Sequence, residues 1–379
     1  MLLGRSTGGI GTHVAQLSAD LRKCGVDVTV VTHPLTAEHF DLGPVRLCWP
    51  GSAGVVHVLA DLSALRRLAA SADIVHAHGH QAGLLAALSI VSSQAMARVR
   101  RRPTPRGPKL IVSQHNAVLQ GSGRQVLKRL LQRWVARHAD LMTGASSDLV
   151  DDALALGARR AELAEVPSPR VPHLLAQPPA DAAARAGIRQ SLLSSTGTDL
   201  GEPELPLVLT ICRIAPQKNL SVLLRAASQL REACTWVVLG EGDPQLLAQL
   251  RALGSALGAP VHFLGSSSEV DTWLRGAEVF VLPSQWEARA LVVQEAMAAG
   301  VPVVVADVGG LHDLVLPAGL LVPPGDPEAI AKATDSILAD PGLREELTVR
   351  GREVAAALPD GSDTASRWLA WYSQTLLMT

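Results

Sequence analysis

The sequence predicts a two-domain α/β protein in which each domain is built on a doubly wound parallel β-sheet. The chain has 379 residues and a mass of 39.8 kDa, which is enough for two domains with separate hydrophobic cores. Short apolar runs alternate with helical stretches along its whole length, as is typical of a parallel sheet covered by helices on both faces. A segment rich in Pro, Ala and Ser divides these runs into two sets.

The apolar runs predict buried strands, because each is short and has Gly, Pro or polar residues nearby. None of the runs is long enough to span a bilayer, so we expect no transmembrane helix. The runs are Val28–Val31, Ile74–His76, Leu110–Val112 and Leu141–Thr143 in the first set, and Leu207–Thr210, Trp236–Leu239, Val261–Leu264, Val279–Leu282 and Val301–Val305 in the second.

The domain boundary is placed at the start of the Pro-rich segment, near Pro167. This gives an N-terminal domain of residues 1–171 and a C-terminal domain of residues 172–362. The remaining residues, 363–379, include the run Arg367–Tyr372, which is apolar and aromatic. Such a helix is too hydrophobic to be free in solvent, so we expect it to pack on a domain, with the N-terminal domain as the candidate.

Composition limits the cellular setting. The four cysteines form no C-x-x-C pair, which argues against a disulfide framework and a zinc cluster. No basic segment followed by an apolar core opens the chain, so nothing marks it for export, and we expect a cytoplasmic protein. Divided after Val171, the chain carries +8 and −9, so its halves either face different partners or have different solvated surfaces. We expect no nucleic-acid partner.

The most informative segment is residues 284–306, which contains two glutamates. Glu287 lies in a predicted loop, and Glu295 lies in an Ala-rich predicted helix that ends at Gly300, before Pro302. The segment therefore predicts a loop, a helix and a buried strand, with the helix N-terminus at the carboxyl edge of a sheet. Anions bind at such positions, and both glutamates can reach one ligand.

Two further loops are candidates for phosphate binding. Gly8–Val14 contains three glycines that let backbone N–H groups approach phosphate oxygens. A nicotinamide cofactor is disfavoured, because a dinucleotide site needs a small residue where this chain has Val14 and an acidic residue where it has Thr32-His33.

Arg213 and Lys218 follow an apolar strand and suit a diphosphate, although a surface loop with ordinary charges is the alternative. The chain has no D-x-D motif, so a metal-dependent sugar-nucleotide site has little support.

Histidines mark two more strand ends. His76, His78 and His80 are spaced like metal ligands, but no carboxylate or cysteine stands beside them, and we expect no metal. His115 follows the apolar run that begins at Leu110, where doubly wound sheets bind ligands, and a structural role for His115 is an equal alternative.

Taken in this order, these motifs resemble the family 4 retaining glycosyltransferases of the GT-B fold, of actinobacterial type. The resemblance covers nearly the whole chain and implies two Rossmann-like domains facing a cleft, with the acceptor held mainly by the first and a nucleotide-sugar by the second. It rests on Gly8–Val14, His76–Gly79, Arg213 with Lys218, Gly240–Asp243, Glu287 with Glu295, and Gly309–Gly310 followed by Leu321–Asp326.

The resemblance also implies roles for individual residues. Glu295 would bind the ribose hydroxyls, Glu287 the hydroxyls of the transferred sugar, and Arg213 and Lys218 the diphosphate. His115 would lie near the donor sugar. The glycines Gly9 and Gly11 would face the diphosphate across the cleft.

The implied reaction is hexosyl transfer with retention of the anomeric configuration, from a UDP- or GDP-sugar to an unidentified acceptor. The implied catalytic set is Glu287, His115, Arg213 and Lys218. The resemblance further implies that the leaving diphosphate would help to accept the proton of the acceptor, and that the site would stabilise the negative charge developing on this diphosphate. No metal and no cofactor are expected.

Three departures from the family pattern limit this transfer of roles. Arg289-Ala290 stands where the family commonly has Phe-Gly, and Arg289 either meets an anionic donor group or faces solvent. Pro167–Arg170 stands where the family often has Asn-Gly-Val-Asp. Only Met1-Leu2-Leu3 precedes the glycine loop, where a full strand of about five residues is expected, so we expect the natural gene product to begin upstream.

The sequence is also compatible with three other functions. A nucleotide-sugar epimerase would share the fold and the diphosphate site but would need no acceptor. A sugar-nucleotide-binding protein that has lost turnover is a second alternative, which the presence of Glu287, Glu295, Arg213 and Lys218 opposes. An oxidoreductase is the weakest alternative, for the reasons given at the glycine loop.

Basic residues cluster in the first domain, in a loop and along the following helix. We expect this surface to meet an anionic membrane or a phosphate-bearing acceptor, with peripheral association at the inner membrane face, or to be an ordinary solvated basic face with the leucines of the helix on the opposite side. The residues are Arg98, Arg100, Arg101, Arg102, Arg106 and Lys109 in the loop, and Arg124, Lys128, Arg129, Arg133 and Arg137 along the helix.

Overall fold

A computed structural model of the protein describes residues 1–6, 8–50, 55–99, 107–116, 125–196, 202 and 204–378. The chain divides into two units. Unit 1 comprises Met1–Pro167 and Pro359–Thr379, and unit 2 comprises Ser168–Leu358. Each unit contains one parallel β-sheet.

Unit 1 has a seven-stranded parallel sheet in the order β3-β2-β1-β4-β5-β6-β7. The strand order reverses between β1 and β4, which pair directly, so the loops after these strands begin side by side at the carboxyl edge of the sheet. The strands are β1 (Leu2–Leu3), β2 (Val30–Thr32), β3 (Val45–Arg46), β4 (Ile74–His78), β5 (Lys109–Gln114), β6 (Leu141–Gly144) and β7 (Ala161–Leu163).

The first six helices also belong to unit 1. Its core consists of the inner faces of these helices against the sheet, with Val14, Leu17 and Leu21 of the first helix fully buried. The helices are α1 (Gly9–Lys23), α2 (Pro34–His39), α3 (Val55–Ala70), α4 (His80–Val99), α5 (Gln125–His138) and α6 (Ser147–Ala155).

Unit 2 has a six-stranded parallel sheet in the order β10-β9-β8-β11-β12-β13. Its central strands are buried on both faces, and Trp236 and Phe280 are fully buried in its core. The strands are β8 (Leu207–Ile211), β9 (Thr235–Leu239), β10 (Val261–Gly265), β11 (Val279–Leu282), β12 (Val303–Ala306) and β13 (Leu320–Val322).

Nine helices surround this sheet within the described residues. They are α7 (Val171–Leu175), α8 (Ala182–Thr196), α9 (Leu220–Ala227), α10 (Pro244–Leu257), α11 (Val270–Gly276), α12 (Leu291–Ala298), α13 (Leu311–Val315), α14 (Pro327–Ala339) and α15 (Pro341–Ala356).

The last helix, α16 (Gly361–Leu377), packs on unit 1. A capping box between Asp360 and Asp363 fixes its start. Trp368, Trp371 and Tyr372 are buried in the same hydrophobic cluster as α1. The aromatic residues of this segment therefore complete the core of unit 1.

All nine predicted strands occur, with ends that differ by at most two residues from the predicted runs. The run Val301–Val305 begins as a strand only at Val303, because the preceding residues close α12. Gly300 adopts a positive φ of 78°, and the Val301 N–H donates to the Ala296 carbonyl, a C-terminal cap that needs glycine. The short strands β3, β7 and β13 were not predicted.

Among the described residues, no helix combines the length and the apolar character needed to cross a lipid bilayer.

Candidate active site

The loop after β8 carries both predicted cations, Arg213 and Lys218. It is held by the segment that follows β9, where the Ile214 N–H donates to the Glu241 carbonyl (2.9 Å). Gly240 approaches this loop so closely that an added Cβ would lie 1.9 Å from a backbone carbonyl oxygen of the loop, and its φ is +135°. Only glycine fits there. The Gly-Glu-Gly-Asp motif, Gly240–Asp243, therefore fixes the loop that carries Arg213 and Lys218.

Lys218 is brought to Glu287, 69 residues later, where the two side chains form an ion pair. Backbone contacts join the two loops, since the Gln285 N–H donates to the Gln217 carbonyl (2.8 Å). The Gln217 side-chain amide donates to the Trp286 carbonyl (2.7 Å). The side chains of Lys218 and Glu287 are only 15% and 11% exposed, so the pair is held in a poorly solvated place at the carboxyl ends of β8 and β11.

The loop that carries Glu287 is fixed from a third direction by the glycine pair after β12. The Gly310 N–H donates to the Glu287 carbonyl (2.9 Å). Gly309 has a φ of +50°, and an added Cβ there would lie 2.2 Å from the same carbonyl oxygen. Two of the glycine motifs therefore position the Lys218–Glu287 pair through backbone contacts alone.

Glu295 lies on α12 and is buried. Its carboxylate accepts a hydrogen bond from the Ser168 hydroxyl (2.6 Å), and Arg170 Nη1 lies 3.8 Å from its other oxygen. The Ser168 N–H donates to the side-chain carbonyl of the neighbouring Gln294 (3.0 Å). Burial raises the pKa of Glu295, although Ser168 and Arg170 act in the opposite direction.

Ser168 and Arg170 were not identified as site residues from the sequence. They belong to the Pro-Ser-Pro-Arg segment that departs from the family pattern, and only the fold shows that it contacts Glu295. The remaining predicted cation, Arg213, is exposed, and Arg289 is half-buried.

In unit 1, His115 follows β5 and is brought to His78, at the end of β4. His78 Nδ1 lies 3.1 Å from His115 Nε2. His13, on the first turns of α1, places its ring 5.5 Å from the ring of His115 and 5.8 Å from that of His78. Burial lowers the pKa of His115 to about 3 and that of His13 to about 4, so both are neutral near pH 7.

The other histidines of the His76–His80 motif have different partners. His76 uses both ring nitrogens, with Nδ1 2.8 Å from the Tyr372 hydroxyl and Nε2 2.7 Å from the Ser113 hydroxyl. His80 Nε2 lies 3.0 Å from the Asn116 carbonyl. The three histidines of the motif therefore do not converge on one point, and the grouping of His78 with His13 and His115 was not predicted.

The predicted phosphate glycines lie at the start of α1. Gly9 is its first residue and is exposed. Gly11 is buried, and an added Cβ would lie 2.2 Å from the ring of Phe40. Gly11 therefore leaves space for an aromatic ring of the protein itself. The Gly11 N–H donates to the Ser6 hydroxyl (3.1 Å) and to the Gly8 carbonyl (2.9 Å).

Two α/β units with parallel sheets, and with polar groups gathered at the carboxyl ends of strands, are typical of the GT-B architecture. The comparisons agree with this class. The model of the glycosyl transferase 4-like domain matches residues 8–169, and that of glycosyl transferases group 1 matches residues 199–354. The chain belongs to the family 4 glycosyltransferases of the GT-B fold.

Two curated relatives match nearly the full chain. The alpha-maltose-1-phosphate synthase of Mycolicibacterium smegmatis is 30% identical over 368 residues, covering 91% of this chain and 90% of that protein. The D-inositol 3-phosphate glycosyltransferase of Xylanimonas cellulosilytica is 29% identical over 407 residues, covering 96% of this chain and 88% of that protein.

Solved structures show the same fold. The Anabaena protein HepE, in complex with UDP and glucose, has a TM-score of 0.77 at 18% identity, with 98% of each chain covered. Sucrose-phosphate synthase from Thermosynechococcus elongatus has a TM-score of 0.75 at 22% identity, covering 100% of this chain and 99% of that chain. At these identities the likeness concerns the fold alone.

Proposed function

We propose that this protein is a retaining, metal-independent hexosyltransferase that moves a sugar from a nucleoside-diphosphate sugar to a phosphate-bearing or membrane-associated acceptor. The observation that carries the proposal is the ion pair of Lys218 and Glu287 in two loops fixed by the glycines of two neighbouring motifs. A cation fixed in a poorly solvated site can stabilise a leaving diphosphate without rearranging during the reaction.

The proposed donor site lies on unit 2. Lys218 and the exposed Arg213 bind the diphosphate, Glu287 accepts hydrogen bonds from hydroxyls of the transferred sugar, and Glu295 accepts them from the ribose. Glu287 is suited to this role, because its ion pair with Lys218 holds the carboxylate beside the cation that binds the diphosphate. His115, on unit 1, is proposed to contact the sugar, and Gly9 to offer its backbone N–H group to the diphosphate, whereas the Gly11 N–H already donates to Ser6 and Gly8.

In the proposed reaction, an acceptor hydroxyl oxygen attacks the anomeric carbon on the face from which the diphosphate departs. The bond between that carbon and the phosphate oxygen breaks, and the acceptor proton passes to the leaving diphosphate. The anomeric configuration is thus retained. The side chains of Lys218 and Arg213 stabilise the charge that develops on the leaving group, and no metal ion is required.

The donor is proposed to be a UDP-sugar, with GDP-sugars as the alternative. HepE, which shares the fold, is described in complex with UDP and glucose. The names of two relatives contain a phosphorylated acceptor or product, D-inositol 3-phosphate and maltose 1-phosphate, which supports an acceptor that carries phosphate.

Donor choice can be measured by thermal shift. We expect a UDP-sugar at one hundred times its Kd to raise the free energy of unfolding by about 2.7 kcal/mol, and ADP-sugars to have little effect. NMR of the product formed in the presence of EDTA then tests retention and metal independence. An inverted product, or activity abolished by EDTA, would refute that part of the proposal. Conversion of a labelled donor into another nucleotide-sugar without an acceptor would indicate an epimerase.

Membrane association is proposed for helix α5. The sequence pattern left two alternatives for this helix: a surface that meets an anionic partner, or an ordinary solvated basic face with the leucines on the opposite side. In the first half of the helix the leucines themselves are exposed. Val126 is 74% exposed, Leu127 59%, Leu130 55% and Leu131 39%, and core packing begins at Trp134. The basic residues Lys128, Arg129, Arg133 and Arg137 are exposed on the same helix.

The apolar side chains at positions 127, 130 and 131 follow helical spacing and form one exposed stripe, which ends where Trp134 packs on the core. A helix with an exposed apolar stripe and basic neighbours lies in the interface of an anionic membrane, with the stripe in the headgroup region and the cations near the lipid phosphates. Each such cation contributes about 1 kcal/mol at an anionic surface. Arg100, Arg101, Arg102, Arg106, Arg124 and the side chain of Arg98 lie outside the described residues.

We expect the protein to float with vesicles that contain anionic lipid, and to be released at high salt, because the Debye length is about 8 Å at physiological ionic strength. The variant Lys128→Glu/Arg133→Glu should lose most of the binding. Leu127→Ser/Leu130→Ser should also weaken it, at unchanged charge. The matched control is Arg225→Glu/Lys332→Glu, which makes the same charge change at exposed positions of unit 2. Equal flotation of the control and both α5 variants would leave α5 as a solvated surface helix.

A further inference from the structure

Three buried histidines of unit 1 converge at the carboxyl edge of its sheet. His13, on α1, is 5% exposed, His78, at the end of β4, is 3% exposed, and His115, after β5, is 8% exposed. Each offers one ring nitrogen, and these three nitrogens lie within 4.8 Å of one another. Among the described residues, this is the group whose side chains are arranged as metal ligands. The elements that carry it are brought together by the reversal of strand order between β1 and β4.

We propose that His13, His78 and His115 form a binding site for one divalent transition-metal ion such as Zn²⁺. The separation of 3.1 Å between His78 Nδ1 and His115 Nε2 is close to the distance of about 3.3 Å between two nitrogens bound to one tetrahedral zinc ion at about 2.05 Å. The widest separation among the three ligand nitrogens is at most 4.8 Å, so the site needs a shortening of at most about 1.5 Å to reach the zinc geometry.

Apart from its contact with His115, no hydrogen bond from the described part of the chain holds the His78 ring in place. His78 Nε2 is fully buried and has no hydrogen-bond partner among the described residues. Among the described residues, Nδ1 of the same ring meets only His115, so an ion between the two rings replaces that one contact and breaks no other hydrogen bond of the ring. His76, which lies beside His78, does not compete for the ion, because Tyr372 and Ser113 occupy both of its ring nitrogens.

The chemistry of the ligands selects the metal. All three side chains are imidazoles, which suit Zn²⁺, Co²⁺, Ni²⁺ and Cu²⁺, whereas Mg²⁺ and Ca²⁺ prefer oxygen ligands. Burial lowers the pKa of His13 and His115 to about 4 and 3, so both are in the neutral form that binds a metal at neutral pH.

The ion would act as an inhibitor, and this consequence rests on the proposed function. With a metal bound, His115 cannot contact the transferred sugar, so Zn²⁺ should reduce turnover and a chelator should restore it. Metal binding itself does not depend on the role of His115 in transfer. A failure of the proposed function and a failure of the metal site can therefore be distinguished.

The test is a titration of the full-length, metal-free protein with Co²⁺, monitored by the visible absorption of the bound ion, with Zn²⁺ as a competitor. We expect one ion per chain, and a Kd at least about tenfold higher in His13→Gln and in His78→Gln, since the loss of one ligand weakens a site at least as much as the loss of an outer-shell partner. His138→Gln, which changes an exposed histidine of the same unit, is the matched control and should bind as the wild type does.

Because replacing a buried histidine can destabilise the fold, a second measurement uses the wild type alone. NMR of the imidazole nitrogens should show three histidines shifted by Zn²⁺, assigned to His13, His78 and His115. The proposal is overturned if no absorption band forms, if the two cluster variants bind as tightly as the wild type, if the His138 control loses binding to the same degree, or if other histidines carry the shifts.

Discussion

Replacing Lys218 by alanine should lower kcat/KM by about one hundredfold and destabilise the protein at the same time. A charge-assisted hydrogen bond to the diphosphate is worth about 1.5–3 kcal/mol, which corresponds to roughly ten- to over one hundredfold in catalytic efficiency. The same change leaves Glu287 without its ion-pair partner in a site where its side chain is only 11% exposed. Breaking a buried pair by removing one partner typically costs about 3–5 kcal/mol, and the lower part of that range applies here because some exposure remains.

A double variant separates these two effects. Lys218→Met/Glu287→Gln removes both charges, so no buried charge is left unpaired, and the melting temperature should recover towards that of the wild type. Activity should not recover, because the cation is still missing. Lys332→Ala, an exposed lysine of the same unit, should change neither quantity. Near-wild-type kinetics for Lys218→Ala would contradict the assignment of the diphosphate site.

Replacing Glu295 by glutamine should raise the KM for the donor by about ten- to one hundredfold without loss of stability. The proposed ribose contact uses a carboxylate that accepts two hydrogen bonds, and an amide offers one accepting oxygen in its place. The stability expectation follows from the raised pKa of Glu295. Because burial favours its neutral form in the folded state, the charged form opposes folding near pH 7. A neutral glutamine removes that penalty and can still accept a hydrogen bond from the Ser168 hydroxyl.

The pH dependence has a definite sign. The pKa of Glu295 lies above its ordinary value of 4.5. As the pH falls through that raised pKa, the carboxylate is protonated and donor binding weakens, whereas the contribution of this group to folding stability increases. Stability from this group is thus present at acid pH and is lost as the pH rises through the raised pKa.

Donor Kd measured by calorimetry between pH 5 and pH 8 checks this expectation. In the wild type, donor affinity should decline towards acid pH. In Glu295→Gln this decline should be absent. Ser168→Ala removes a hydrogen bond that favours the charged form of Glu295, so the decline in donor affinity should begin at a higher pH. The same decline in donor affinity at acid pH in all three proteins would show that a group other than Glu295 controls the pH dependence.

Much of the fold could be predicted from the sequence, because buried parallel strands are short, apolar and bounded. Val279–Leu282 was predicted with the same ends that the structure gives. The strands that were not predicted are very short or half polar, such as β3 with Val45 and Arg46, and their pairing depends on neighbouring strands. For the leucines of α5 two alternatives stayed open in the sequence, because periodicity alone does not distinguish a core face from a face that meets another surface.

For the candidate site, sequence reasoning identified residues at strand ends but not their partners. The contact between Lys218 and Glu287 joins positions 69 residues apart, and that between Ser168 and Glu295 joins positions 127 apart. The grouping of His13 with His78 and His115 likewise depends on which strands are neighbours. Pattern and spacing show that a residue lies at the carboxyl end of a strand, but the order of strands in the sheet decides what it meets there.

The return of α16 to unit 1 has a consequence for the order in which the chain folds during synthesis. Unit 2 is continuous in sequence, from Ser168 to Leu358, whereas unit 1 needs Trp368, Trp371 and Tyr372 from the last helix to complete its core. A ribosome adds about 5–20 residues per second, and domains generally fold as units once their sequence is available. The part of the protein made first is therefore the part that finishes last, and until α16 emerges, the apolar surface that it covers is open to chaperones and to aggregation.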